Sequence, residues 1–231
     1  MNNTLLHYVY DPLCGWCWGA APLVHAARAA LPVRLHAGGM MTGARRQRVT
    51  PELRAFVAPH DERIAQLSGQ PFGAAYRDGL LRDPLAVFDS EPPTAAILAA
   101  EALGGRGLDM LAQLQTAHYV LGLRIADRAV LVELACGIGL PQPAFADELD
   151  RQSAGPVQAH VQQTRAFMAA SGAQGFPSFV LEGPTGLQRV DASAYLGRPE
   201  AFVAALDGLL AQLPATAGAS PALCDADGCA L

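Results

Sequence analysis

The chain has 231 residues and a formal net charge of −5, and 51% of its residues are hydrophobic. All 16 basic residues are arginine, which excludes chemistry that needs a lysine, such as Schiff-base formation or a phosphate-binding P-loop. The sequence shows no basic stripe of the kind that binds nucleic acid, and no apolar run near the ~18 residues of a membrane span. The composition therefore predicts a globular protein of one elaborated domain or two small ones, with neither nucleic acid nor a membrane as its partner.

The N-terminal residues lack the features of a secretory leader. They have no basic start, no long apolar run and no small-residue cleavage site. This predicts a cytoplasmic protein, and in that reducing compartment cysteines more often serve catalysis or sensing than structure. The five cysteines form two close pairs and a singleton: Cys14 and Cys17, Cys224 and Cys229, and Cys136.

The chain opens with the pattern of a β-α-β unit. An aromatic and apolar strand is predicted over 5–10, and Asp11-Pro12 ends it. A helix is predicted over 17–30, with a kink at Pro22, and a half-buried strand follows over 33–37.

A helical block occupies the middle of the chain, from about Thr50 to Ser171. Apolar residues recur there at three- and four-residue spacing, and no segment reads convincingly as a strand. Thr50 is predicted to be a helix N-cap, with Pro51 at the first helical position. Further helices are predicted over 91–103, 108–121, 128–138 and 156–170.

Strand character returns after the helical block. Strands are predicted over 178–181 and 187–190, and a final amphipathic helix over 198–213. Because neither end could close a sheet alone, we predict one α/β fold, β-α-β then β-β-α, interrupted by a large all-helical insertion. The predicted domains are a discontinuous one over 1–49 and 172–213, an insertion over 50–171, and a flexible tail over 214–231.

The segment Cys14-Gly15-Trp16-Cys17 carries recognisable chemistry. It follows a strand and opens a helix, so the first thiol faces free N–H groups and the positive end of the helix dipole, which stabilise a thiolate. The second thiol lies one turn on, within disulfide reach, and can resolve a mixed disulfide. We therefore predict Cys14 as the more exposed nucleophile and Cys17 as the buried resolving cysteine of a dithiol–disulfide oxidoreductase.

Zinc binding is an alternative use of two such cysteines. A zinc site needs three or four ligands, usually from a second cysteine pair or a histidine pair. The candidates for these further ligands are His7, His25, Cys224 and Cys229. The place of the motif between a strand and a helix favours redox chemistry, and no metal is predicted. A zinc-binding or redox-sensing module stays open as an alternative.

A second signal lies far downstream, in Gly175-Phe176-Pro177-Ser178-Phe179-Val180. A proline directly before a strand suits a cis turn, although only ~5–6% of X-Pro bonds in folded proteins are cis. In thioredoxin-like folds such a turn lies against the cysteine pair and leaves the backbone of the preceding residue free to pair with substrate. The similarity of this pattern, with the cysteine motif, to such folds implies that Pro177 belongs to the catalytic centre and that Phe176 binds substrate.

Several segments resemble the DsbA-like family of thioredoxin-fold proteins. They are Asp11 to Gly19, Gly38-Gly39-Met40-Met41, Glu91 to Ala96, Ala117-His118-Tyr119-Val120 and Gly175 to Val180. Within the family they are most similar to cytoplasmic FrnE-like members, which are predicted protein-disulfide isomerases. The resemblance implies a thioredoxin domain with an all-helical insertion, Cys14 and Cys17 as the redox pair, and a cis Phe176-Pro177 bond. Gly15-Trp16 replaces the histidine-containing dipeptide of secreted members, so their strongly oxidising potential is not carried over.

Four side chains near the motif could either bind substrate or pack in the hydrophobic core. Trp16 is predicted to be exposed beside the sulfur and to contact substrate, whereas Trp18 is predicted to lie in the core. Met40 and Met41 follow a Gly-Gly turn where the family has its surface groove. Their flexible thioethers suit apolar binding, and core filling is an equal alternative.

The remaining three cysteines have different predicted roles. The residues between Cys224 and Cys229 favour a turn that could bring the two sulfurs together. We predict that this pair exchanges electrons with Cys14 and Cys17, and adventitious oxidation of the tail stays open. Cys136 is predicted to be an inert buried thiol on an apolar helix face.

The leading functional hypothesis is disulfide exchange on protein or small-molecule thiols and disulfides. It requires no bound cofactor, and glutathione or thioredoxin would be the redox partner. The alternative is a glutathione-dependent enzyme of the kappa transferase or hydroxychromene-carboxylate isomerase type, a branch that usually has serine where Cys14 stands. The direction of electron flow and the formation of a homodimer stay open.

Overall fold

The computed structural model describes residues 4–212 of the chain. Its strands are β1 (Leu5–Tyr10), β2 (Val33–Ala37), β3 (Gln47–Arg48), β4 (Val87–Phe88), β5 (Ser178–Gly183) and β6 (Gly186–Val190). Its helices are α1 (Gly15–Gly19), α2 (Ala21–Ala30), α3 (Pro51–Ser68), α4 (Glu91–Gly104), α5 (Gly107–Tyr119), α6 (Arg128–Gly137), α7 (Gln142–Ser153), α8 (Pro156–Ser171) and α9 (Pro199–Gln212). None of the helices within residues 4–212 is long and apolar enough to span a bilayer.

Strands from both ends of the chain form one sheet in the order β2-β1-β5-β6. β1 runs parallel to β2 and antiparallel to β5, and in this register Tyr8 lies opposite Leu35 on one side and Phe179 on the other. The central position of β1 explains its continuous apolar sequence, since both of its faces are covered. The predicted α/β order, with a helical insertion between the two parts of the sheet, is confirmed.

The first predicted helix is broken rather than kinked. α1 ends at Gly19, and a new helix begins at Ala21. Pro22 therefore lies in the first turn of α2, where a missing N–H removes no intrahelical hydrogen bond. The prediction of a kink at Pro22 is wrong, because the proline opens the second helix.

The helical block contains the predicted helices, and the structure adds α7 and the short strands β3 and β4, which are not predicted. Thr50 caps α3 as expected, with its hydroxyl oxygen accepting a hydrogen bond from the Leu53 N–H at 3.2 Å. α7 was missed because its buried residues are only Phe145, Leu149 and Gln152, too few to produce a clear apolar period. β3 and β4 pair as two-residue strands, which are too short to be recognised in a sequence.

Cys136 is exposed, so the expectation of a buried thiol is wrong. The buried face of α6 consists of Leu131, Val132 and Ala135. Cys136 lies one residue beyond Ala135, about 100° further around the helix, and this rotation carries its side chain out of the apolar face.

Candidate active site

Cys14 and Cys17 lie where β1 passes into α1. Cys14 is the N-cap of that helix, and Cys17 is its third residue. The Cys17 N–H donates to the Cys14 carbonyl oxygen at 2.9 Å, which closes the first turn. Both side chains are free thiols, 6% and 0% exposed respectively. Cys14 is the more accessible of the two, as expected, but only a small part of its surface is open.

The surroundings of Cys17 suit a thiol that reacts second. Burial raises the pKa of the Cys17 thiol well above its usual value, and the hydrogen bond and charge of Cys14 raise it further. Cys17 therefore stays protonated at neutral pH in the reduced protein.

The Phe176–Pro177 peptide bond is cis, as predicted. Cys14 donates a hydrogen bond from its sulfur to the Phe176 carbonyl oxygen at 3.5 Å. The fold therefore brings the two signals found in the sequence together, although 162 positions separate them.

A cavity of about 610 Å³ is lined by Trp16 of the cysteine motif and by Phe176, whose carbonyl oxygen accepts from Cys14. Its apolar wall consists of Trp16, Ala20, Phe176, Pro177, Phe179, Val190, Ala192 and Leu196. Polar groups come from Ser178, Arg189, Asp191 and Ser193. Trp16 is half-buried rather than exposed, and its ring forms part of this wall.

Other candidates lie outside the cavity wall. Trp18 is buried as expected, stacks on Tyr119 with 6.0 Å between ring centroids, and donates from its indole nitrogen to the Pro71 carbonyl oxygen at 3.0 Å. Met40 and Met41 are half-buried and pack against the core. Their position agrees with the core-filling alternative, and their substrate-binding role stays a prediction.

Asp11 is a buried acidic residue whose role sequence reasoning missed. It is 0% exposed, and its carboxylate accepts hydrogen bonds from the Leu13 N–H at 2.9 Å, the Met40 N–H at 2.6 Å and the Ser90 hydroxyl at 2.8 Å. Burial raises the pKa of Asp11 to about 6, while these hydrogen bonds oppose the shift. The sequence before Pro12 predicts only the end of a strand, so the burial of Asp11 is evident from the structure alone.

Asp61 of α3 is a second acidic residue beside the motif. Its Oδ1 atom lies 3.4 Å from the place that a Cβ on Gly15 would occupy, and its Oδ2 atom accepts from the Tyr76 hydroxyl at 3.2 Å. Burial raises the pKa of Asp61 to about 7, while the Tyr76 hydrogen bond and the Arg77 charge lower it. Nothing in the sequence of α3 indicates this contact, because it depends on how α3 packs on α1.

Of the residues named for a zinc site, His7 and His25 lie within the described part of the chain. Within residues 4–212, no group of three or more His, Cys, Asp or Glu side chains is placed to hold a metal ion. His7 instead lies between His36 and Glu182, with 2.8 Å to each through its two ring nitrogens. Cys224 and Cys229 lie outside the described residues.

Comparison with known proteins identifies the family of this chain. No protein-family model matches the chain, and no curated protein matches its sequence. Two structures of the cytosolic disulfide reductase DsbM from Pseudomonas aeruginosa, the second with GSH, are 56% and 54% identical, with TM-scores of 0.84 and 0.83. Each match covers 90% of this chain, and 98% and 99% of the respective DsbM chains.

More distant structures have the same fold. A candidate protein disulfide isomerase from Nitrosomonas europaea is 27% identical with a TM-score of 0.74, and the match covers 91% of this chain and 99% of that one. A 2-hydroxychromene-2-carboxylate isomerase is 14% identical with a TM-score of 0.57, over 91% of this chain and 100% of that one, which shows the fold alone. The chain belongs to the DsbA-like family of thioredoxin-fold proteins, and it is a thiol–disulfide oxidoreductase.

Proposed function

We propose that this enzyme reduces small peptide disulfides in the cytosol, with Cys14 as the attacking thiol and Cys17 as the resolving thiol. The observation that carries the proposal is the position of the Cys14 sulfur, at the start of α1 and 3.5 Å from the Phe176 carbonyl oxygen. Backbone N–H groups at the beginning of a helix have no intrahelical acceptor, so they can stabilise negative charge on this sulfur. The cytosolic location is supported by the description of the DsbM protein as cytosolic.

The reaction proceeds in two exchanges. The Cys14 thiolate attacks one sulfur of the substrate, a Cys14–substrate disulfide forms, and the other half of the substrate leaves as a thiolate and takes up a proton. Cys17 then loses its proton and attacks the Cys14 sulfur, which releases the second half and leaves a Cys14–Cys17 disulfide. The substrate gains two electrons and two protons. Reduced thioredoxin can return the enzyme to its dithiol form. When the substrate is a disulfide other than glutathione disulfide, two molecules of glutathione can do the same and are themselves oxidised to the disulfide.

The cavity beside Cys14 supports a peptide of glutathione size as the substrate. Its volume of about 610 Å³ falls within the range of small-molecule sites. The Arg189 guanidinium suits a carboxylate, the Asp191 carboxylate suits an ammonium group, and glutathione carries both kinds of charge. A cysteine that is only 6% exposed also favours a slender disulfide over one held inside a folded protein. The DsbM structure with GSH is consistent with this class of ligand.

In this proposal the chain consists of two domains. The discontinuous domain over 1–49 and 172–213 contains the cysteine motif and Pro177. The insertion over 50–171 contains α3 to α8. This division is supported by a sheet that combines strands from both ends of the chain, with the helical block between them in sequence.

Single-turnover reduction of glutathione disulfide tests the proposal. The reduced enzyme should release two equivalents of glutathione, whereas Cys17→Ser should release one and keep the other on Cys14, as located by peptide mapping. Cys14→Ser should lose the reaction. Cys136→Ser, which removes an exposed thiol of α6, is the matched control and should behave as the wild type. Full activity of Cys14→Ser, or a glutathionyl group on Cys17, would contradict the assignment.

Two further measurements separate the alternatives. Insulin reduction should be slower than reduction of glutathione disulfide, and faster insulin reduction would favour a protein substrate. Conjugation of glutathione to an electrophile should not occur, and its appearance would favour a transferase. The relay through Cys224 and Cys229 stays a prediction, which a deletion ending at Pro214 tests. Unchanged turnover, with no disulfide between Cys14 and the tail in a Cys17→Ser background, would exclude the relay.

A further inference from the structure

We propose that Arg165 of α8 is a positioning residue for the reaction at Cys14. Its guanidinium holds the Gly38–Gly39 backbone, the Phe176 ring rests on Gly38, and the Phe176 carbonyl faces the Cys14 sulfur. The inference rests on the proposed role of Cys14 as the nucleophile. Through Arg165, the helical insertion takes a direct part in the geometry of the active site.

The first link is a contact between α8 and the end of β2. Arg165 donates from Nη2 to the Gly38 carbonyl oxygen at 3.2 Å and to the Gly39 carbonyl oxygen at 2.9 Å. Among the ion pairs formed within the described part of the chain, none involves Arg165, so the two carbonyls are its partners there. His160 of the same helix forms a further hydrogen bond there, because its Nε2 atom accepts from the Ala37 N–H at 3.1 Å. α8 therefore forms hydrogen bonds to the backbone of three consecutive residues at the end of β2.

The second link is the contact between Gly38 and Phe176. A Cβ atom built on Gly38 would lie 2.2 Å from two ring atoms of Phe176, closer than any real contact. The ring therefore occupies the space that a side chain at this position would take. On its other side, the Gly38 N–H donates to the Tyr10 carbonyl oxygen at 2.9 Å, which ties the same residue to the sheet. A displacement of the Gly38 backbone towards the ring would therefore move the ring.

The third link joins the ring to the reacting sulfur. In its protonated form the Cys14 sulfur donates to the Phe176 carbonyl oxygen at 3.5 Å, so the sulfur lies against the residue that carries the ring. A shift of the ring therefore changes the direction in which the Cys14 sulfur faces the neighbouring cavity. A misplacement of about 1 Å at reacting atoms can slow a reaction by roughly 100-fold.

The test measures how fast Cys14 attacks 5,5′-dithiobis(2-nitrobenzoate), a small aromatic disulfide, followed by quenching and peptide mapping at Cys14. Arg165→Ala should slow this step by roughly 10- to 100-fold, because the hydrogen bond from α8 to the Gly38 carbonyl oxygen is lost. Arg151→Ala is the matched control, since Arg151 is exposed and pairs with Glu148 of the same helix, α7, and it should react as the wild type. The probe reports on Cys14 whichever disulfide is the physiological substrate.

The same substitution in a Phe176→Ala background separates positioning from folding. Phe176→Ala keeps the backbone carbonyl but removes the ring through which Arg165 acts. In that background Arg165→Ala should change the rate by less than about twofold, whereas a general loss of stability would slow both backgrounds equally. Gly38→Ala provides a second route, since its added methyl group should slow the reaction only while the ring is present.

Different results would overturn the role of Arg165 and the proposed function. An unchanged rate in Arg165→Ala, or an equal loss in both backgrounds, would overturn the positioning role. Retained activity of Cys14→Ser would instead overturn the assignment of the nucleophile.

Discussion

Replacing Asp61 with asparagine should stabilise the protein at alkaline pH. The side chain is 6% exposed and lies against the active-site motif, and burial raises its pKa from 3.8 to about 7. A shift of this size makes the ionised carboxylate about 4 kcal/mol more costly in the folded than in the unfolded chain. Asparagine has nearly the same shape, carries no charge at any pH, and can still accept the Tyr76 hydrogen bond.

The sign of the pH dependence follows from the raised pKa. The unfolded chain releases the Asp61 proton near pH 4, whereas the folded protein holds it until about pH 7. The stability that protonation confers is therefore complete below pH 4 and is lost as the pH rises through 7. The advantage of Asp61→Asn over the wild type should be about 4 kcal/mol at pH 8 and about 2 kcal/mol at pH 5.

Urea denaturation at pH 5 and pH 8, with the thiols kept reduced, measures this difference. The midpoint of Asp61→Asn relative to the wild type should move upward by about 1 M between the two pH values. Asp150→Asn is the control, because Asp150 is exposed and paired with Arg128, and it should gain no stability at pH 8. If Asp61→Asn and the wild type differ by the same free energy at both pH values, Asp61 ionises normally and the reasoning from burial is wrong.

Three further predictions concern single positions. Gly15→Ala should slow turnover, because its Cβ would lie 3.0 Å from an isoleucine methyl of α3; Gly208→Ala, whose Cβ meets nothing within 4 Å, should leave turnover unchanged. Thr50→Ala should lower the free energy of unfolding by about 1 kcal/mol in urea, since the Leu53 N–H loses its capping oxygen. His36 should titrate near pH 4 in an NMR experiment, because burial lowers its pKa to about 4. A midpoint above pH 6 would contradict the burial of that ring.

The amino-acid sequence by itself determined the features that depend on neighbouring residues. The cysteine motif, the strand before it and the Thr50 cap are read from spacing and local hydrogen-bonding chemistry, and all three agree with the structure. The pairing of that motif with the Phe176-Pro177 turn came from the sequence only with the help of the family resemblance. Local patterns identify chemistry well because the thiols and the backbone groups that activate them lie within one helical turn.

Only the tertiary structure decided which distant groups surround the motif. Asp61 reaches Gly15 because α3 packs on α1, and Arg165 reaches Gly38 from a helix 127 positions away in sequence. These contacts have no sequence period, since a hydrogen bond or a steric contact between two elements depends on their relative rotation and not on their composition. The exposure of Cys136 shows the same dependence, because about 100° of helix rotation separates it from the buried Ala135.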